Sequence, residues 1–222
     1  LNVLRKPRVA LFSTGDELVM PGDIAPEKMP PGAIYNSNRF FLRALLVRCG
    51  CLVTDLGIVP DNLADTLKVL KEAAHDHDLV LTSGGVSVGE EDHVKPAVEQ
   101  LGKLNLWQIS MKPGKPFAFG QLDSTDTTKQ VGAYFMGLPG NPVSSYVTFQ
   151  LLVRPFLLAL QGQAQIASNS YLIQANFDFP KPDKRREFLR VKRNAAGSLD
   201  LFPNQSSGVL TSVVWGDGVI DN

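Results

Sequence analysis

Three histidines and two cysteines leave little material for a metal centre built on nitrogen and sulfur. His75, His77 and His93 do not stand at metal-site spacing, and Cys49 and Cys51 lie in a Cys-Gly-Cys stretch. That spacing is wrong for a zinc knuckle and too tight for an easy disulfide. Both cysteines therefore read as buried thiols of a reducing, cytoplasmic compartment. Net charge is missing too. The 22 basic residues meet 22 acidic ones, so no global field draws the chain to nucleic acid or to an anionic membrane. Neither a signal peptide nor an apolar stretch of the roughly 18 residues a membrane span needs is expected. No P-loop and no Ser–His–Asp set is apparent.

What the sequence does have is alternation. Its 222 residues, 44% hydrophobic, suffice for one large domain or for one medium and one small. Val9-Ala-Leu-Phe12 is a short apolar run. Residues 36–48 read as a helix capped by Ser37 or Asn38, and 51–59 as a β-branched strand. Asp61 or Asn62 can cap a helix that carries Leu63, Leu67, Leu70 and Ala74 at helical spacing. Residues 78–82 read as a buried strand, and Val94, Ala97, Val98 and Leu101 as a short amphipathic helix. Strands are expected at 104–111, 117–122 and 131–136, with a polar hairpin tip at 123–128. Residues 143–160 predict a long apolar helix, bent near Pro155. This order predicts a three-layer α/β/α domain on a mostly parallel sheet over residues 1–162. After Gly162 only strands and turns are expected: 171–177, 187–193, 199–202 and 211–215, a small all-β domain over 163–222.

In an open parallel sheet, ligands bind at the carboxyl ends of the strands. Four unusual loops fall there. Ser13-Thr-Gly-Asp-Glu17 and Pro60-Asp61-Asn62 bring acids. Ser83-Gly-Gly-Val-Ser-Val-Gly-Glu-Glu-Asp92 spends Gly84 and Gly85 on close backbone approach, passes Ser87, and then sets three acids in a row. Gly137-Leu-Pro-Gly-Asn-Pro-Val-Ser144 runs into the long helix, where Gly140, Asn141 and Ser144 suit an anion. Asp61 and Asp92 each have a second reading as helix caps, whereas no helix follows Glu17. Carboxylates facing a phosphate need a cation between them, and hard oxygen ligands suit Mg²⁺. Lys112-Pro-Gly-Lys115 reads either as a solvated turn or as two ammonium groups facing one anion.

Ser13-Thr-Gly-Asp-Glu-Leu18, Ile34-Tyr-Asn-Ser-Asn38, Ser83 to Gly89 with Asp92, Lys112-Pro-Gly-Lys-Pro116 and Gly137-Leu-Pro-Gly-Asn-Pro142 together resemble the molybdopterin molybdenumtransferases, including the plant and gephyrin E domains. The match weakens over 170–222, through Arg186-Glu-Phe-Leu-Arg190 and Asn204-Gln-Ser-Ser207. The resemblance implies a molybdopterin-binding domain followed by a small β-barrel. It also implies insertion of molybdenum from molybdate into adenylylated molybdopterin, with Mg²⁺-dependent loss of AMP. By motif, Glu17, Asp61 and Asp92 take the acidic catalytic positions, with Asp61 and Asp92 as the Mg²⁺ ligands. Lys112, Lys115, Ser144, Arg190 and Ser207 take the molybdate positions, and Pro139 and Pro142 shape their loop. Two further N-terminal domains are expected upstream of Leu1, with a homodimer in the full-length protein and a molybdopterin adenylyltransferase as a possible partner. Two rival readings are the adenylylation of molybdopterin itself, which usually lacks the β tail, and a non-enzymatic peptide-binding scaffold.

Overall fold

A computed structural model describes residues 3–87, 93–124, 132–180 and 183–222. The elements run β1 (Arg8–Thr14), β2 (Leu18–Val19), β3 (Ile34–Tyr35), α1 (Asn38–Arg48), β4 (Leu52–Val59), α2 (Leu63–Asp76), β5 (Leu79–Ser83), α3 (Val94–Leu101), β6 (Gly102–Trp107), β7 (Met111–Lys112), β8 (Ala118–Leu122) and β9 (Tyr134–Leu138). Then come α4 (Pro142–Thr148), α5 (Arg154–Leu160), β10 (Arg186–Arg193), β11 (Leu199–Leu201), α6 (Thr211–Trp215) and β12 (Gly218–Asp221). The main sheet has the order β4-β1-β5-β9-β8-β6. Its first four strands are parallel, and β8 and β6 add an antiparallel edge.

Side chains alternate across a strand, so one run of residues serves two cores. Ala10, Phe12 and Val80 face α2 and α3, against Leu70, Ala73, Val94 and Val98. Val9, Leu11, Leu79 and Leu81 face the opposite way, against Leu42 and Leu46 of α1 and Leu157 of α5. The result is a three-layer sandwich with β5 and β9 at the centre of its sheet. Each such leucine or phenylalanine, taken wholly out of water, contributes about 1.5–3 kcal/mol. Pro142–Leu160 is one continuous 19-residue helix whose hydropathy of 1.4 meets the length and composition of a membrane span, against expectation. Here Phe149, Val153 and Leu157 fill the sandwich core. The expected bend is a π-helical turn over Phe149–Val153, between α4 and α5, just before Pro155.

Several expectations need correction. The single strand expected over 104–111 is interrupted, because Gln108 adopts a left-handed backbone (φ 68°) and the chain turns away before β7. Residues 171–177 form no strand. An isolated bridge from Ala175 to Leu199 and a hydrogen bond from Asn176 Nδ2 to Asp200 Oδ1 (3.1 Å) hold them, and Leu172 is fully exposed. Residues 211–215 are helical despite Val213 and Val214. The Ser212 hydroxyl donates to the Val209 carbonyl (2.7 Å), and Gly216 N–H closes onto Ser212 O (3.1 Å). β12, too short to show in the pattern, pairs with β10 instead. The C-terminal sheet is thus β11-β10-β12, with β7 of the first domain added alongside β10. Among the described residues it is open rather than a closed barrel. The expected hairpin tip at 123–128 lies mostly outside the described residues.

Candidate active site

The four parallel strands end in the four acid- and glycine-rich loops, and these loops surround one pocket of about 450 Å³. Gly84 and Gly85 form part of its wall, with φ of +94° and +65°. A methyl at Gly84 would stand 2.4 Å from the Thr14 carbonyl oxygen, and one at Gly85 2.5 Å from Val94 Cγ2. Both positions therefore demand glycine twice over, by backbone conformation and by space. Gly84 N–H donates to Leu138 O (3.0 Å), which ties the β5 loop to the β9 loop. Ser87, Pro139, Gly140, Asn141, Pro142 and Ser144 complete that side of the pocket.

Glu17 and Asp61 line the pocket as well. The cap of α2 is Asn62, whose Oδ1 accepts from Asp65 N–H at 2.9 Å. Asp61 is thus left for the pocket, where its Oδ1 accepts the Thr14 hydroxyl at 3.3 Å. Glu17 folds its carboxylate against Gly15: a methyl there would lie 2.6 Å from Oε2. Asp92 lies outside the described residues, as do Glu90 and Glu91. Among the described residues no three His, Cys, Asp or Glu side chains gather into a metal cage. A pair of hard carboxylates beside a hydroxyl nonetheless fits Mg²⁺, which typically binds through one or two carboxylates and substrate phosphates.

The cationic residues lie beside this pocket rather than in its wall. The Lys112–Pro113 peptide is cis, and the turn packs on α4: a methyl at Gly114 would lie 2.6 Å from Thr148 Cγ2. Lys115 is exposed. Lys112 Nζ sits 2.8 Å from Glu187 Oε1 and 3.3 Å from Asp183 Oδ2, and these hydrogen bonds, Glu187's first, raise its pKa. Arg190 is 2% exposed. Its guanidinium donates to Ser212 Oγ (3.2 Å) and to the carbonyls of Phe188 (3.2 Å) and Ser206 (3.3 Å). Burial pushes its pKa down, and the charge of Glu187 opposes the fall.

Gln205 explains the Asn204-Gln-Ser-Ser207 stretch. Its amide accepts from Arg190 N–H (2.9 Å) and donates to Arg190 O (3.0 Å), which fastens the loop to β10. Ser207 O then accepts Val143 N–H at 2.9 Å. One of the amides expected to be open for an anion at the start of α4 is therefore taken by the C-terminal domain. Met111, Val143, Val147 and Phe188 form a small core across this junction.

Sequence reading missed Asn38 as a site residue. It is 7% exposed at the start of α1, and its Nδ2 donates to Ser83 Oγ (2.7 Å) and to Gly140 O (2.6 Å). It clasps the β5 and β9 loops across the pocket wall. The signal was a polar residue in register with Leu42 and Leu46 on the buried face of α1. Asp183 and Glu187, the partners of Lys112, were also missed, because the β7–β10 pairing that brings them there spans more than seventy residues.

Residues 10–159 match the family described as probable molybdopterin binding domain, and residues 173–221 match the MoeA C-terminal region (domain IV). The molybdopterin molybdenumtransferase of Haemophilus influenzae is 49% identical over 161 residues, 72% of this chain and 37% of that protein. The enzyme of the same name from Staphylococcus epidermidis is 30% identical over 226 residues, 99% of this chain and 51% of its own length. A solved molybdopterin biosynthesis MoeA protein of Pyrococcus horikoshii aligns with a TM-score of 0.74 at 28% identity, over 98% of this chain and 50% of that one. This chain thus spans about half or less of the length of these relatives. With its pocket loops inside the first match and its Arg190 strand inside the second, the chain belongs to the molybdopterin-binding domain family, in the MoeA-type arrangement of the molybdopterin molybdenumtransferases.

Proposed function

We propose that this chain is the substrate-binding part of a molybdopterin molybdenumtransferase, which inserts molybdenum from molybdate into adenylylated molybdopterin and releases AMP. The observation that carries this reading is the convergence of all four parallel-strand loops on one 450 Å³ pocket, lined by glycine backbone and by the carboxylates of Glu17 and Asp61. Gly84, Gly85 and Gly140 let a phosphate group lie close to the main chain. Asp61 and Asp92 would hold Mg²⁺, which would supply the positive charge that a phosphate beside bare carboxylates needs. Lys112, Lys115, Ser144, Arg190 and Ser207 hold molybdate near the junction with the C-terminal domain, a role that rests on the matching motifs and on the strength of charge-assisted hydrogen bonds to a small dianion. The adenylyltransferase reading is weaker, because the C-terminal sheet is built into this junction through β7 and Ser207. The full-length protein acts in the cytoplasm as a homodimer.

The test is direct binding. Titrated with adenylylated molybdopterin and Mg²⁺, the protein should saturate at one equivalent. Ser87→Trp, at an exposed position of the pocket rim, should abolish binding without loss of fold. Equal affinity in the two proteins would rule out this pocket.

A further inference from the structure

Lys112 is half exposed, yet two carboxylates of the C-terminal domain hold it. One of them, Glu187, is 4% exposed and stands opposite Lys112 in the β7–β10 register. Its Oε1 takes the ammonium at 2.8 Å, while its Oε2 is buried with no hydrogen-bond partner. A buried carboxylate oxygen without a donor is costly, about 1–3 kcal/mol or more for a charged group, so a purely structural ion pair would be expected to satisfy it. The charge of Glu187 also reaches the guanidinium of Arg190, which donates to two carbonyls and a hydroxyl. Glu187 therefore binds one of the two cations of the proposed oxyanion site and its charge is felt by the other. Asp183 adds a second carboxylate at 3.3 Å and is itself shared with Arg185.

We propose that Glu187, assisted by Asp183, is a built-in counter-anion of the oxyanion site: it holds Lys112 when the site is empty and competes with the incoming dianion, so that it sets the affinity low enough for the metal oxyanion to be passed on. The inference rests on the oxyanion reading of Lys112 and Arg190 given above. Physically, a fixed negative charge beside two cations lowers the potential that a dianion meets, and removing that charge while keeping the side chain's shape should raise it. Glu187 acts through Lys112 and is a positioning residue, without contact to the substrate.

The sign of the effect separates this role from a structural one. Damage to a domain junction weakens binding, whereas loss of a competing charge strengthens it. Molybdate, with sulfate as a second probe, is titrated into the wild-type protein, Glu187→Gln and Lys112→Ala, each checked for fold by circular dichroism. The proposal expects Glu187→Gln to bind molybdate at least about threefold more tightly and Lys112→Ala to bind it more weakly. If Lys112→Ala weakens binding but Glu187→Gln leaves it unchanged or weaker, the counter-anion role is overturned and the oxyanion reading stands. If Lys112→Ala binds as the wild type does, the reading of Lys112 falls and this proposal falls with it. Should Glu187→Gln fail to fold, Asp183→Asn removes the second carboxylate from the same ammonium. Tighter binding there supports the proposal, and unchanged or weaker binding overturns it.

Discussion

Asp61 is a residue whose structural duty has been taken over by its neighbour. Asn62 caps α2, so the Asp61 carboxylate is not needed for the helix. Its carboxylate accepts the Thr14 hydroxyl, a role that an amide oxygen fills equally well. Asp61→Asn therefore removes a charge from the pocket and little else. In the full-length parent it should slow AMP release by at least about tenfold, a loss of ~1.4 kcal/mol in transition-state stabilisation, with the melting temperature unchanged. Asp92→Asn should act alike if Asp92 shares the cation, and the pair should be non-additive, since a cation lost once cannot be lost again. Normal AMP release with a lowered melting temperature would make either residue a structural one.

At the scale of elements, the stretch before β1 is fastened by Asp78, at the start of β5. Its carboxylate takes the Arg5 guanidinium and Arg8 N–H (2.7 Å). Burial pushes the Asp78 pKa up, but these donors outweigh it and hold it below the usual carboxylate range. A depressed carboxylate contributes stability above its unfolded pKa, roughly 3.9, and loses it as pH falls through the folded value. Asp78→Asn should thus lower stability at pH 7 by on the order of 1 kcal/mol or less, because Arg5 is largely exposed. The difference from wild type should shrink as the medium is acidified below about pH 4, as followed by thermal melts across pH; a deficit constant with pH would contradict it. The elements themselves show what a sequence can reveal. β1, β4, β5 and α2 were legible because their apolar spacing is local, and the four loops were legible because glycine and acid at strand ends have few other uses. β12, α6 and the clasp of Asn38 were not. β12 exists only through its pairing with β10, α6 overrides two β-branched valines, and Asn38 reaches loops 45 and 102 residues away. Long-range pairing decides β12 and the partners of Asn38, whereas α6 is closed by local contacts of Ser212 and Gly216 that propensity does not reveal.

The whole molecule holds two kinds of core. The sandwich encloses both of its cores within residues 9–157, from elements all present in this chain. Its stability should therefore not require the remainder of the longer relatives. Catalysis is a different demand. Insertion must align the adenylyl phosphate, the cation and molybdate, and small misplacements cost orders of magnitude in rate. The relatives that carry the activity in their names are about twice the length of this chain or more. On the proposed function, part of the active site would come from segments that the longer relatives have in addition. Residues 1–222 should accordingly fold cooperatively, sediment as a monomer or weak dimer, and bind a pterin ligand in the four-loop pocket. With adenylylated molybdopterin, molybdate and Mg²⁺, they should release AMP at no more than about a hundredth of the rate of a full-length parent, the scale of loss that a misplacement of about 1 Å produces. Turnover at the parent's rate would show that the catalytic constellation is complete in this half, and that Asp61, Lys112 and Arg190 need no groups from outside it.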